Sequence, residues 1–222
     1  MNIYLIRHGR QNSKLCNVDV PLAEEGKRQA DLVGKRLEKY NIDAVYSSQL
    51  IRAVETADII NEHLNKPRVI DERFMEADFG DMTGLSNEVL KEKYGEFLKK
   101  RSTMEEDEPY PGGGESGLDV YKRAKEGLDE LIKSGYENVC LVTHGGVIRA
   151  LLAGIAGAPS KRWLVFGRQL ENCSITHLMY DEKMGSLHIE RVNDYAHIED
   201  YDELLRKHFG NGFFNSDKNV KI

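Results

Sequence analysis

The stretch Val139-Cys140-Leu141-Val142-Thr143-His144-Gly145-Gly146-Val147-Ile148 decides the fold class. Val139 to Val142 is an unbroken apolar run, the mark of a strand in a parallel sheet covered on both faces, and a Gly pair then opens a helical pattern over Val147 to Ile155. Upstream the same order recurs. Ile3 to Ile6 ends in Arg7-His8-Gly9 and is followed by a helical pattern over Gln29 to Tyr40, with Val33, Leu37 and Tyr40 on one face. Ala44 to Tyr46 precedes another over Ile51 to Leu64, with Ile51, Val54, Ile60 and Leu64 aligned. Strand alternating with helix predicts an α/β fold with right-handed crossovers, a three-layer α/β/α sandwich around a mostly parallel sheet. Ser174 to Tyr180 and Leu187 to Arg191 read as strands at the sheet edge.

Between Glu76 and Glu115 the alternation stops. A helix near Asn87 to Lys100, the acidic run Glu105-Glu106-Asp107-Glu108 and the loop Pro109-Tyr110-Pro111-Gly112-Gly113-Gly114 predict a small helical cap inserted at about 77–114. The acidic run reads as a solvated loop and the glycines as a hinge. Ser116, with Asp119 three residues on, caps a helix running to Ile132. The 222 residues, 40% hydrophobic, suit one domain over 1–222 with a C-terminal tail from about 202, whose Phe209, Phe213 and Phe214 dock on the core or a partner chain.

A net charge of −6 speaks against nucleic-acid and anionic-membrane partners, so an anionic ligand has to be small. No run reaches the ~18 apolar residues of a membrane span. Cys16, Cys140 and Cys173 lack metal-binding spacing and cannot all pair, and the N-terminus carries no basic leader, which together predict a cytoplasmic protein, monomer or homodimer.

Arg7-His8-Gly9, Arg52 and Thr143-His144-Gly145-Gly146 each follow a strand. In an open parallel sheet the carboxyl ends of the strands line one crevice, so two His and two Arg converge there. The helix opening behind Gly145 adds backbone N–H donors and a positive dipole end, a setting for a dianionic phosphoryl group.

Leu5-Ile6-Arg7-His8-Gly9, the run PLAEEGKRQA at 21–30, YSSQLIRAVETA at 46–57, GGES at 113–116 and VTHGGVIRALL at 142–152 stand in one order. Together with Asn193-Asp194 and His197, they resemble the histidine phosphatase superfamily, the phosphoglycerate mutase-like fold, over roughly residues 1–200. The resemblance implies that His8 is the phosphorylated nucleophile, that Arg7, Arg52 and His144 form the phosphate pocket, and that Glu76 donates the proton. Among Glu72, Glu76, Asp78 and Asp81, which share one loop, it selects Glu76, with Asp81 in reserve. The chain departs from the family at Arg10, Gln11 and Asn12, where an acidic residue or Gln, then Thr, and an Asn further on are usual. Gln11, Asn12 and Gly145 are further candidate substrate contacts, and His197 a candidate for the pocket floor.

The chemistry holds on its own terms. A neutral imidazole attacks phosphorus if its other nitrogen donates to a fixed acceptor, for which a carbonyl of the Gly9 turn is at hand. Two guanidiniums hold the phosphoryl oxygens, and no metal or cofactor is called for. A carboxylic acid protonates the leaving alcohol and then activates water. His63, His177, His188 and His208 lack ligand spacing and read as surface or core residues, and Asp78-Phe79-Gly80 as a coincidental copy of a kinase tripeptide. The expected function is therefore hydrolysis of a small phosphate ester through phosphohistidine, an EC 3.1.3 phosphomonoesterase of the histidine acid phosphatase type. The alternatives are a bisphosphoglycerate-dependent phosphoglycerate mutase, for which the resemblance implies a longer cap insertion, and a non-catalytic phospholigand-binding module.

Overall fold

The computed structural model describes residues 1–167 and 169–206. The expectations for His208, Phe209, Phe213 and Phe214 lie outside those residues. Six strands form one sheet in the order β3-β2-β4-β1-β5-β6: β1 Asn2–Arg7, β2 Ala44–Ser47, β3 Arg68–Ile70, β4 Asn138–Thr143, β5 Ile175–Asp181 and β6 Ser186–Asp194. The pairings β1·β4, β2·β4 and β2·β3 are parallel, and β5 runs antiparallel to both β1 and β6.

The alternation of side chains along a strand splits the core in two. On one face Ile3, Leu5, Val139 and Leu141 pack with α4 (Gly117–Ile132) and α5 (Gly145–Ile155). On the other, Tyr4, Ile6, Cys140 and Val142 meet α1 (Glu24–Leu37) and α2 (Ile51–Leu64). These two helical layers flanking the mostly parallel sheet are the predicted sandwich.

Sequence and structure differ in instructive places. α1 begins at Glu24 rather than Gln29, since Gly26, a poor helix former, sits inside it where a Cβ would strike the Arg10 carbonyl. β3 was not read from the sequence, being only three residues long. In the cap region α3 (Asn87–Thr103) kinks at Tyr94 and packs Leu90, Phe97 and Leu98 on the core with Phe79 and Tyr110. The Arg101 guanidinium sits 4.0 Å from the Tyr110 ring centroid and 5.1 Å from that of Trp163. Ser116 and Asp119 form the expected capping box on α4. Glu105 and Glu106 of the acidic run are exposed, but Asp107 accepts hydrogen bonds from the Gly117 and Leu118 amides, a second cap for that helix. All three cysteines are free and buried. Among the described residues no helix is long and apolar enough to cross a membrane.

Candidate active site

Carboxyl ends of β1 and β4 bring His8 and His144 together, with ring centroids 5.0 Å apart. His8 Nδ1 donates to the Gly9 carbonyl at 2.7 Å, which leaves Nε2 with its lone pair. Arg52 Nε approaches that nitrogen at 3.4 Å. Burial, then the charges of Arg52 and Arg7, hold His8 well below the ordinary histidine range, so the ring is neutral at neutral pH.

Three elements fix the nucleophile loop. Thr56 Oγ1 accepts the Gly9 amide at 2.9 Å and donates to the Arg52 carbonyl at 2.6 Å, tying α2 to the loop. Gln29 Oε1 accepts the Arg10 amide, and the Gly26 backbone lies so close that a Cβ on Gly9 would sit 2.6 Å from the Gly26 carbonyl. Asn172 Nδ2 donates to the His8 carbonyl at 2.8 Å. The runs at 21–30 and 46–57 thus brace the first strand's end, which is why they accompany Arg7-His8-Gly9 in the sequence.

Arg7 donates through Nη1 to the Leu170 carbonyl, and its Nε is buried without a partner among the described residues. Arg52, 1% exposed, donates to Val18 O at 3.1 Å and to Asn17 Oδ1 at 3.0 Å. Asn17, in the left-handed region at φ 47°, also donates to the Ala77 carbonyl and so bridges Arg52 to the Glu76 loop. It escaped sequence reading, although asparagine's tolerance of that conformation and the family's later Asn were available signals. Gln11 and Asn12 do line the cavity, but the Gln11 side chain turns back on the Ser13 and Leu15 carbonyls.

His144 is fully buried beneath His8. Ser48 Oγ lies 2.7 Å from its Nε2, and its Nδ1 has no partner among the described residues. Desolvation and the charge of Arg52 keep this imidazole neutral as well. Ser48 is a second residue the sequence did not flag.

Glu76 faces the same cavity from the loop after β3. Its Oε1 accepts the Ala77 amide at 2.9 Å and the Gly146 amide at 3.1 Å, so the N-terminus of α5 anchors the carboxylate. Arg123 of α4 holds the loop from behind, donating to the carbonyls of Arg73, Met75 and Glu76 while pairing with Glu115. Asp81, the reserve donor, is exposed against Gly112 and does not line the cavity; Glu72 and Asp78 are exposed too. His197 is likewise displaced from its expected place. It lies 3.2 Å from Arg36, which forks onto Asp194, and not at the pocket floor.

A cavity of about 590 Å³ opens over His8, with Arg7, Arg52, Glu76, Gly145 and Arg149 in its wall. Arg206, from beyond β6, closes one side and is a third residue sequence reading missed. Among the described residues no three or more His, Cys, Asp or Glu are grouped to hold a metal ion. A neutral imidazole whose Nε2 meets the Arg52 guanidinium, with Arg7 and a carboxylate in the same cavity wall, is equipped for in-line attack on a phosphoryl group.

The chain is similar to known phosphatases and mutase-like proteins over most of its length. Over 190 residues the chain is 32% identical to phosphoserine phosphatase 1 of Hydrogenobacter thermophilus, covering 80% of this chain and 87% of that one. It is 38% identical over 157 residues to phosphoglycerate mutase-like protein 4 of Arabidopsis thaliana, covering 67% and 68%. A mycobacterial glucosyl-3-phosphoglycerate phosphatase, solved with VO3, superposes with a TM-score of 0.77 at 28% identity, covering 87% of this chain and 99% of that one. The profile of the histidine phosphatase superfamily (branch 1) matches residues 3–194, a span that holds Arg7, His8, Arg52, Glu76 and His144, and the chain belongs to that superfamily of phosphatases and mutases.

Proposed function

We propose that the chain is a phosphomonoesterase acting through a phosphohistidine on His8, built as one catalytic domain with a cap insertion over 77–114. The observation that carries this is the neutral His8 ring, pinned through Nδ1 to the Gly9 carbonyl with Nε2 facing Arg52 in a cavity that Arg7 also lines. In the first step the Nε2–P bond forms and the P–O ester bond breaks, the two guanidiniums neutralising the phosphoryl oxygens. Glu76 serves as the proton donor to the departing alcohol oxygen. With Ser48 donating to Nε2 of His144, the His144 Nδ1–H is left to donate to a phosphoryl oxygen. In the second step the Glu76 carboxylate takes a proton from water, whose oxygen attacks phosphorus and returns His8 to its free state. Phosphate and alcohol leave.

Hydrolysis is favoured over mutase chemistry by the short cap, which has to exclude water if the phosphoenzyme is to outlive product reorientation. Rapid quenching with ³²P-labelled p-nitrophenyl phosphate tests the reading. Base-stable, acid-labile label is expected on the native chain and none on His8→Ala; turnover persisting in His8→Ala refutes it.

A further inference from the structure

The peptide between Gly9 and Arg10 is gripped from both sides. Its carbonyl accepts the His8 Nδ1–H at 2.7 Å, and its N–H donates to Gln29 Oε1 at 2.9 Å. In a planar trans peptide these two groups point in opposite directions, so whatever fixes the N–H also fixes the carbonyl that sets the His8 ring. The Gln29 side chain is fully buried, and its own amide is held at the other end, where Nε2 donates to the Leu204 carbonyl at 2.7 Å. A backbone N–H can only donate and a carbonyl only accept, so these partners leave the Gln29 amide a single orientation. An unbroken run of amides therefore leads from Leu204 through Gln29 and the Gly9–Arg10 peptide to the nucleophile.

The start of α1 is built around this grip with residues three apart, which share one face of a helix. Ala23, its N-cap, donates its amide to the Arg10 carbonyl at 2.8 Å; Gly26 leaves the gap in which a Cβ would strike that same carbonyl; Gln29 takes the Arg10 N–H. The far end is equally fixed. Arg10 Nη2 donates to the Leu204 carbonyl at 2.9 Å and Nη1 to that of Glu203 at 3.1 Å, so the turn Asp202–Leu204 is tied to the nucleophile loop on both sides of Gln29. Leu204 and Leu205 pack with Ile198 against Leu32 and Tyr195, which anchors that turn on the core.

We propose that Gln29 is a positioning residue for the nucleophile: by fixing and polarising the Gly9–Arg10 peptide it keeps the His8 proton on Nδ1 and the lone pair on Nε2. This rests on the phosphatase reading above. An amide that donates through its nitrogen becomes a better acceptor at its oxygen, by roughly 10–30% per bond in a low-dielectric interior. Each bond from Leu204 onward thus strengthens the next, and the last of them is the bond from His8 Nδ1. A stronger bond there holds the ring at one angle and in one tautomer. It does so with dipoles alone, adding no negative charge to a site meant for a phosphoryl dianion.

The test uses Gln29→Met and Gln29→Leu, which fill the space and remove both bonds. Rapid quenching with ³²P-labelled p-nitrophenyl phosphate follows label onto His8; the phenolate scarcely needs a proton, so the rate reports the nucleophile and not Glu76. At saturating ester the rate is expected to fall by about 10- to 100-fold, the loss that a misplacement near 1 Å brings, while the ester concentration for half-maximal rate stays within about 3-fold because Arg7 and Arg52 keep their places. ¹⁵N-labelled histidine gives a readout independent of turnover: native His8 is expected to carry its proton on Nδ1, and that signal to shift in the variants. Thermal unfolding shows which variants are folded, and either one carries the test. A purely structural glutamine would lower the melting temperature and leave the labelling rate per folded site unchanged. A rate within about 3-fold of native or an unmoved Nδ1 signal in a folded variant overturns the relay, and so, with no substitution at all, does a native His8 protonated on Nε2. A native chain that takes no label overturns the phosphatase reading instead, and the ¹⁵N signal still decides the relay.

Discussion

Gly146→Ala offers a way to move one carboxylate without touching it. Gly146 is the second residue of α5, and a Cβ built there lies 2.3 Å from Glu76 Oε1, whereas real Cβ contacts stay at or beyond 3.0 Å. The carboxylate therefore has to withdraw by at least 0.7 Å, and the Gly146 amide loses its acceptor at 3.1 Å. What yields is the far end of a flexible side chain; the next neighbour, Trp163, sits at an ordinary 3.5 Å. The fold consequently tolerates the change, and the helix gains up to about 1 kcal/mol of propensity that offsets the lost hydrogen bond. Catalysis does not tolerate it, since a displacement near 1 Å costs up to about 100-fold. The assay is phosphate release from glycerol 3-phosphate, whose alcohol needs a proton, set beside p-nitrophenyl phosphate, whose phenolate scarcely does. We expect a loss of about 10- to 100-fold on the first, a much smaller one on the second, and a melting temperature within a few degrees of native. Unchanged rates on glycerol 3-phosphate, or equal losses on both esters, would refute the placement of Glu76 as proton donor.

Removing the acid itself extends the series: Glu76→Gln should lower turnover of alkyl phosphates by about 10²- to 10⁴-fold and that of p-nitrophenyl phosphate far less, read by the same release assay. Stability should fall on acidification. His197, lowered from 6.5 to about 4 chiefly by burial and the Arg36 charge, is neutral in the fold and takes up a proton more readily once unfolded. Its contribution is complete above pH 6.5 and is lost as pH falls toward 4, amounting to about 2 kcal/mol between pH 7.5 and 5. Denaturant melts at the two pH values should therefore show a smaller acid loss for His197→Gln than for the native chain, and equal losses would remove His197 from the account.

The sheet was legible because its central strands are apolar on both faces. Ile3 to Ile6 and Val139 to Val142 read correctly as strands, and the helices behind them followed from their stripes. β3 was not legible, since Arg68-Val69-Ile70 is short and only half-buried, too brief to impose a period. Among site residues His8 and His144 could be found because each directly follows a strand end, and Arg52 because it opens the helix after β2, where topology alone gathers side chains. Asn17, Ser48, Arg123 and Arg206 could not. Each acts through a long-range contact that leaves no local pattern, as when Arg123 reaches carbonyls nearly fifty positions away or Ser48 meets a histidine from another strand. Asp81 and His197 failed for the converse reason: an ionisable residue near the right motif is still placed by its own turn, against Gly112 in one case and Arg36 in the other.

The electrostatics of the site tie binding to nucleophilicity. In the proposed reaction Arg7 and Arg52 would attract a phosphoryl dianion, and the same charges, at the back of a desolvated pocket, disfavour a proton on His8. An isolated histidine titrates near pH 6.5 and would be half protonated, hence half dead as a nucleophile, in mildly acidic solution. Here the free base persists well below that value, so in the proposed reaction its availability would not limit attack across the physiological range. Using cations rather than a carboxylate partner has a further consequence. A carboxylate on Nδ1 would stabilise imidazolium and so favour protonation, whereas the Gly9 carbonyl orients the ring without adding negative charge. Orientation comes from the backbone and activation from the guanidiniums, which is why Gly9 and Gly26 have to approach so closely: any side chain at either would shift the one carbonyl that sets the ring.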